Sequence, residues 1–207
     1  DNDMSAVMPV VAGIIDEIRK DGDSALFAQI AKFDKFSVTS KSDIIIDVKE
    51  MEAAYNSLDN ALRVALNSAH DRIKSYHERT KPSDWTYKDE HDILLGAKYT
   101  AVDRAGLYIP GGKAAYPSSL LMNAIPAIVA GVKEIVVCTP APNGKVNTLL
   151  LAAMHLCGIK TAFKVGGASA IAAMAYGTET VPKVDVITGP GNIYVATVSY
   201  THLRAHE

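Results

Sequence analysis

Between residues 105 and 192, short apolar segments alternate with longer segments of small and aliphatic residues. Four segments have the length and apolar character of buried strands: residues 105–110, 134–138, 161–165 and 184–188. Helical patterns follow the first three of them, over residues 118–131, 146–158 and 168–177. This βαβαβαβ order requires right-handed crossovers, so it predicts an α/β fold with a Rossmann-like parallel sheet covered by helices.

The pattern before residue 105 is different and is mainly helical. Apolar residues recur every three or four positions, which predicts helices over residues 6–20, 24–33 and 48–79, the last one broken near residues 57–59. Short β segments are predicted at residues 44–46, 85–87 and 93–101. We therefore divide the chain into a mainly helical N-terminal region with short strands, residues 1–104, and an αβ unit, residues 105–197.

Three glycine-rich turns follow the carboxyl ends of predicted strands: Gly111–Gly112, Gly166–Gly167 and the Gly-Pro-Gly-Asn turn at 189–192. Ligands of open α/β sheets bind at this edge, where glycine admits a close backbone approach and helix N-termini attract anions. A single turn of this kind is explained by the tight turns that every αβ sheet requires. Three such turns on one edge favour a crevice that binds a ligand. The G-x-G-x-x-G fingerprint is absent, and no acidic residue follows the strand ending at Cys138. The pattern alone therefore predicts a nucleotide or another phosphate-containing ligand.

Composition narrows the class of protein. The 207 residues carry a net charge of −2 without a basic run, which argues against a nucleic-acid partner. No apolar run approaches the ~20 residues that a membrane span requires. Cys138 and Cys157 lack the spacing of a metal or redox motif, so we expect two reduced core residues and a cytoplasmic protein.

Two further sets of side chains have a functional and a structural interpretation. Tyr108 ends the first predicted strand of the αβ unit, where its ring could stack on a ligand or belong to the core. His70 and His77 are seven residues apart on one predicted helix, and an exposed helix face explains them better than a shared ligand.

Four long motifs resemble histidinol dehydrogenase. They are GLYIPGG (106–112), PSSLLMNAIPAIVAGVKEIVVCTP (117–140), VGGASAIAAMAYGTETVPKVD (165–185) and GPGNIYVAT (189–197). The resemblance implies an enzyme that uses NAD to oxidise L-histidinol through histidinal to L-histidine, as a zinc-containing homodimer. It also implies that Tyr108, Ser169 and Asn192 contact NAD.

The chain departs from the family pattern in three places. Ser169 stands where the family commonly has Gln, so a short hydroxyl replaces a longer amide. The family's zinc ligands, catalytic Glu-His pair and substrate-binding residues lie after the GPGN motif. We therefore expect an inactive amino-terminal fragment that contains no catalytic and no metal-binding residue. Residues 198–207, VSYTHLRAHE, differ from the family's continuation, and we interpret them as a non-native tail translated from a sequencing adapter.

Two alternatives remain open on the sequence. The chain could belong to a related NAD-dependent dehydrogenase that oxidises another small alcohol. It could also be a non-catalytic nucleotide-binding module, since no acid–base set accompanies the αβ unit.

Overall fold

The computed structural model describes residues 4–111 and 117–201. Within these residues the helices are α1 (Met4–Asp34), α2 (Lys41–Ile44), α3 (Val48–Ser57), α4 (Asn60–Thr80), α5 (Pro117–Ala130), α6 (Thr148–Leu156), α7 (Gly167–Tyr176) and α8 (Ile193–Thr201). The strands are β1 (Trp85–Lys88), β2 (Leu94–Ala97), β3 (Arg104–Tyr108), β4 (Glu134–Thr139), β5 (Thr161–Lys164) and β6 (Val186–Thr188). A short 3-10 turn, Pro142–Gly144, connects β4 with α6.

The four strands of the αβ unit form one parallel sheet in the order β5-β4-β3-β6. Leu107 of β3 lies between Val137 of β4 and Thr188 of β6, so the carboxyl ends of these strands come together at one edge. The predicted α/β fold with a Rossmann-like parallel sheet and a helical N-terminal region is confirmed. β1 and β2 form a separate antiparallel hairpin, as the two predicted β segments require.

Helices cover both faces of the parallel sheet and bury two apolar clusters. Successive side chains of β3 point to opposite faces: Tyr108 packs into the first cluster and Leu107 into the second. The first cluster joins the sheet to α1, α7 and α8, and the second joins it to α3, α4, α5 and α6. Both clusters thus combine residues from the helical region and the αβ unit into one three-layer arrangement.

The predicted strand at residues 44–46 is wrong. The Asp43 carboxylate accepts hydrogen bonds from the backbone N–H groups of Thr39 and Ser40 at 2.8 and 2.9 Å, which favours a helical turn there. Ile44 ends that turn, and Ile45 forms only an isolated bridge to Phe163. Ile44 is buried in the first cluster and Ile46 in the second. The apolar run therefore reflects packing against two clusters, and it does not mark a strand of the sheet.

The two predicted N-terminal helices form one helical run with a sharp break at Gly22, whose φ is +54°. At this break the Asp23 backbone N–H donates to the Glu179 carboxylate at 2.7 Å. In return the Thr180 hydroxyl donates to the Asp23 carboxylate at 2.6 Å, and the Thr180 N–H donates to it at 3.2 Å. These bonds join the bend of α1 to the loop after α7 and fix the direction of the second half of α1.

We expect Thr180→Val to lower the free energy of unfolding by about 1 kcal/mol, because it removes one hydrogen bond to a charged group while conserving shape. Thr80→Val is the matched control, since Thr80 lies at the exposed end of α4 and makes only a 3.3 Å contact with the His77 carbonyl. That control should change stability by less than about 0.5 kcal/mol. Urea denaturation followed by circular dichroism measures both variants, and equal effects would show that the bonds at Asp23 contribute nothing.

Candidate functional site

A cavity of about 610 Å³ opens at the carboxyl edge of the parallel sheet. All three predicted glycine-rich turns line it, through Gly111, through Gly166 and Gly167, and through Asn192. Gly112, the other glycine of the first turn, lies outside the described residues. The structure also brings Tyr108, Ser169 and Asn192 together in the wall of this single cavity. The crevice predicted from the strand–turn pattern is therefore present, whereas the binding roles of these three residues stay a prediction.

Tyr108 is the last residue of β3, and its ring is almost completely buried. Its hydroxyl accepts a hydrogen bond from the backbone N–H of Gly167 at 3.2 Å. Burial raises the pKa of the Tyr108 hydroxyl, and the hydrogen bond from Gly167 opposes this effect in part. The neutral phenol thus joins the end of β3 to the first turn of α7 and supplies both core packing and part of the cavity wall.

The N-terminus of α7 faces the cavity. Its N-cap residue is Gly166, which has no side chain to satisfy the backbone N–H groups of the first turn. A Cβ on Gly166 would collide with the Cβ of Pro140, so glycine allows the turns after β4 and β5 to meet closely. Ser169 lies in the first turn of α7 and is buried at the cavity wall. This arrangement suits a negatively charged group, because backbone N–H groups and the helix dipole both favour an anion.

Asn192 is positioned by α8, the helix that it precedes. Its side-chain oxygen Oδ1 accepts hydrogen bonds from the backbone N–H groups of Tyr194 and Val195 at 3.1 and 3.2 Å. The oxygen is therefore engaged as the N-cap of α8, which leaves the amide nitrogen Nδ2 as the group that can donate to a ligand.

The opposite wall comes from α1, which the sequence interpretation did not connect with the glycine turns. Its lining residues are Val10, Ile14, Gln29, Ile30, Phe33 and Asp34. Gln29 is 7% exposed, its Nε2 donates to the Glu17 carboxylate, and its Oε1 has no partner among the described residues. A polar Gln within the apolar stripe of Leu26 and Ile30 was the one signal that this helix face borders something other than core.

The cavity carries one group that is charged at neutral pH among its described lining residues, the carboxylate of Asp34. Asp34 is half-buried, and this burial raises its pKa, while hydrogen bonding to the backbone of Ala141 opposes the increase. The described wall contains no lysine or arginine. A phosphate-containing ligand would therefore have to be stabilised there by backbone and neutral donors.

The two cysteines are free and buried, as their spacing predicted. Cys138 lies on β4 and Cys157 follows α6, and burial raises the pKa of each thiol to about 12. Both are therefore core residues and unreactive thiols at neutral pH.

His70 and His77 are both half-buried on α4, and neither is fully exposed as the sequence predicted. The Nδ1 atom of His70 lies 2.9 Å from the Asp71 carboxylate, and His77 packs its ring edge against Tyr76. No group of three His, Cys, Asp or Glu side chains in residues 4–111 and 117–201 is arranged to hold a metal ion. None of the helices formed by these residues is long and apolar enough to cross a membrane.

Known proteins that resemble this chain in sequence belong to one family. The family model described as histidinol dehydrogenase matches residues 1–201. Histidinol dehydrogenase from Wolinella succinogenes is 65% identical over 195 residues, which are 94% of this chain and 45% of the relative. The protein of the same name from Sulfurimonas denitrificans is 60% identical over 195 residues, with the same coverage.

The fold matches as well. The crystal structure of histidinol dehydrogenase from Elizabethkingia anophelis superimposes with a TM-score of 0.87 and 35% sequence identity. The superposition covers 93% of this chain and 44% of that structure. The chain thus spans somewhat less than half the length of the relatives it matches.

We expect Gly189→Ala to destabilise the cavity edge, because its Cβ would collide with the carbonyl oxygen of Tyr108 and because φ at this residue is +142°. The free energy of unfolding should fall by about 2 kcal/mol. Gly13→Ala is the matched control: Gly13 lies in α1, and no described atom is within 4 Å of its added Cβ. Alanine should stabilise that helix position by about 0.5 kcal/mol. If the midpoint of thermal unfolding shifts equally in both variants, the close contact between Gly189 and Tyr108 does not contribute to stability.

Proposed function

Because the chain belongs to the histidinol dehydrogenase family, we propose that its cavity binds NAD and that the whole protein oxidises L-histidinol through histidinal to L-histidine. One observation carries the proposal: three glycine-rich turns, the N-terminus of α7 and the side chains of Tyr108, Ser169 and Asn192 meet in one cavity. NAD, when bound, supplies the acceptor for the hydride that leaves the alcohol.

The described residues offer donors suited to each part of a dinucleotide. The N-terminus of α7 is suited to the pyrophosphate, because the backbone N–H groups that follow Gly167 in its first turn can compensate negative charge without a basic side chain. The hydroxyl of Ser169 and the Nδ2 of Asn192 would hydrogen-bond the neutral parts of the cofactor, since both residues line the cavity. The apolar face of α1 and the ring of Tyr108 supply the dry walls against which a base or a nicotinamide ring packs.

The family resemblance also implies zinc, a homodimer and a cytoplasmic setting for the whole protein. The described residues do not fit a zinc site, since they bring no three ligating side chains together. We derive no chemical step through zinc from them. Two buried thiols in the reduced state support the cytoplasmic setting. Exposed side chains on the β1–β2 hairpin, including Trp85, Tyr87 and Leu94, support burial against a second subunit.

Titration of the chain with NAD tests the cavity assignment. Asn192→Asp keeps an oxygen for the N-cap of α8 but replaces the donor Nδ2 with negative charge beside an anionic cofactor. We expect this variant to retain its stability and to bind NAD about tenfold more weakly. Isothermal titration calorimetry gives the dissociation constants.

Asn192→Ala is the companion variant for this titration. It should lose the cofactor donor and about 1 kcal/mol of stability, because the cap of α8 disappears as well. If Asn192→Asp binds NAD as tightly as the unchanged chain, Asn192 does not contact the cofactor.

A chimera tests the reaction. Residues 4–197 of this chain replace the corresponding part of the Wolinella succinogenes relative, and the absorbance of NADH is followed with L-histidinol. We expect NADH to form with histidinol, because this chain would supply the NAD-binding part of the site and the relative would supply the catalytic and substrate-binding residues. A folded chimera that binds NAD without reducing it would favour the non-catalytic nucleotide-binding module.

A further inference from the structure

The parallel sheet has the strand order of a mononucleotide-binding half, but it lacks the acidic residue that usually follows the second strand. The order β5-β4-β3-β6 places β3, which carries the first glycine-rich turn, beside β4. In doubly wound dinucleotide folds, an acidic residue after the second strand hydrogen-bonds the ribose of the adenosine half. Here β4 is that second strand, and the residues that follow it, from Pro140 to Gly144, include no acid.

The structure supplies a carboxylate at this place from another part of the chain. Asp34 is the last residue of α1, and it lines the cavity together with Pro140, the first residue after β4. The backbone of Ala141, the next residue of the same turn, lowers the pKa of Asp34, in accord with a position of the carboxylate beside that turn. The acid that is missing from the turn in sequence is thus present beside it in space.

The Asp34 carboxylate also has the capacity to serve a ligand. A carboxylate has about four acceptor positions, and the backbone of Ala141 interacts with at most one of them. Half-burial removes part of its water shell, so donors supplied by a ligand would replace lost hydrogen bonds. Two adjacent hydroxyl groups of a ribose are donors of this kind, because they can both reach one carboxylate.

We propose that Asp34 accepts hydrogen bonds from the adenosine ribose hydroxyls of NAD and thereby makes the cavity select NAD over NADP. The proposal rests on the proposed function, since it requires that the cavity binds the dinucleotide. NADP carries a phosphate on the 2′-oxygen in place of the hydroxyl proton. That phosphate would remove a donor and place negative charge against the carboxylate, while no described lysine or arginine lines the wall to compensate it.

A purely structural role for Asp34 predicts a different outcome. If the carboxylate only holds the turn after β4 through Ala141, then its replacement changes the binding of NAD and NADP by the same factor. If it contacts the ribose, the ratio of the two affinities changes. Asp34→Asn separates these roles, because the asparagine oxygen can still accept from Ala141 while its Nδ2 can donate to a 2′-phosphate.

The experiment measures dissociation constants of NAD and NADP for the unchanged chain and for Asp34→Asn by isothermal titration calorimetry. We expect the unchanged chain to bind NAD at least about tenfold more tightly than NADP. Asp34→Asn should weaken NAD binding about tenfold and strengthen NADP binding, so that the preference disappears. Titration with 2′-deoxy-NAD should show a much smaller difference between the two chains, because the hydroxyl that Asp34 accepts from is gone.

Asp16→Asn is the control for the change of net charge, since Asp16 lies on the exposed face of α1 and does not line the cavity. It should leave both dissociation constants unchanged. An unchanged ratio of NAD to NADP affinity in Asp34→Asn would overturn the assignment of Asp34 alone. Absence of NAD binding to the unchanged chain would overturn the proposed function and this inference together.

Discussion

The close approach of the turn after β6 to the end of β3 is the constraint on which the cavity depends. Gly189 lies so near the backbone of Tyr108 that a side chain at this position would collide with it. This contact brings Asn192 to the edge where Gly111 and Gly167 already meet. The N-cap bond of Asn192 then sets the start of α8, and α8 packs against α1, which forms the opposite wall. A single backbone contact therefore determines where four elements surround the cavity.

The sequence predicted the floor of this cavity and not its opposite wall, for a physical reason. Parallel strands converge at their carboxyl ends, so glycine-rich turns after three strands had to share one edge. The position of α1 depends on long-range packing against α7 and α8, which local periodicity does not encode. The wrong prediction of a strand at residues 44–46 also results from long-range packing. Ile44 and Ile46 are buried in two different clusters, which the local sequence pattern does not indicate.

The electrostatics of the site follow from its construction on backbone. Phosphates are commonly bound by arginine or lysine, but the described wall offers helix N–H groups, neutral side chains and one carboxylate. Such a wall would attract the proposed dinucleotide only weakly from a distance, and recognition would depend on the fit between ligand and cavity. The Asp34 carboxylate sharpens this recognition, because a site with little positive charge gains selectivity from repulsion more easily than from attraction.

The bend of α1 at Gly22 has a consequence for the order in which the protein matures. Asp23 finds its partners at Glu179 and Thr180, more than 150 positions later in the chain. During synthesis from the amino terminus, α1 is made early but cannot take its final direction until α7 and the loop after it have left the ribosome. The second half of α1 must remain unpacked or transiently protected until residues 179 and 180 have been synthesised. Contacts of such high sequence separation slow folding in general, because the entropy of closing the long loop between them is lost before the contacts form.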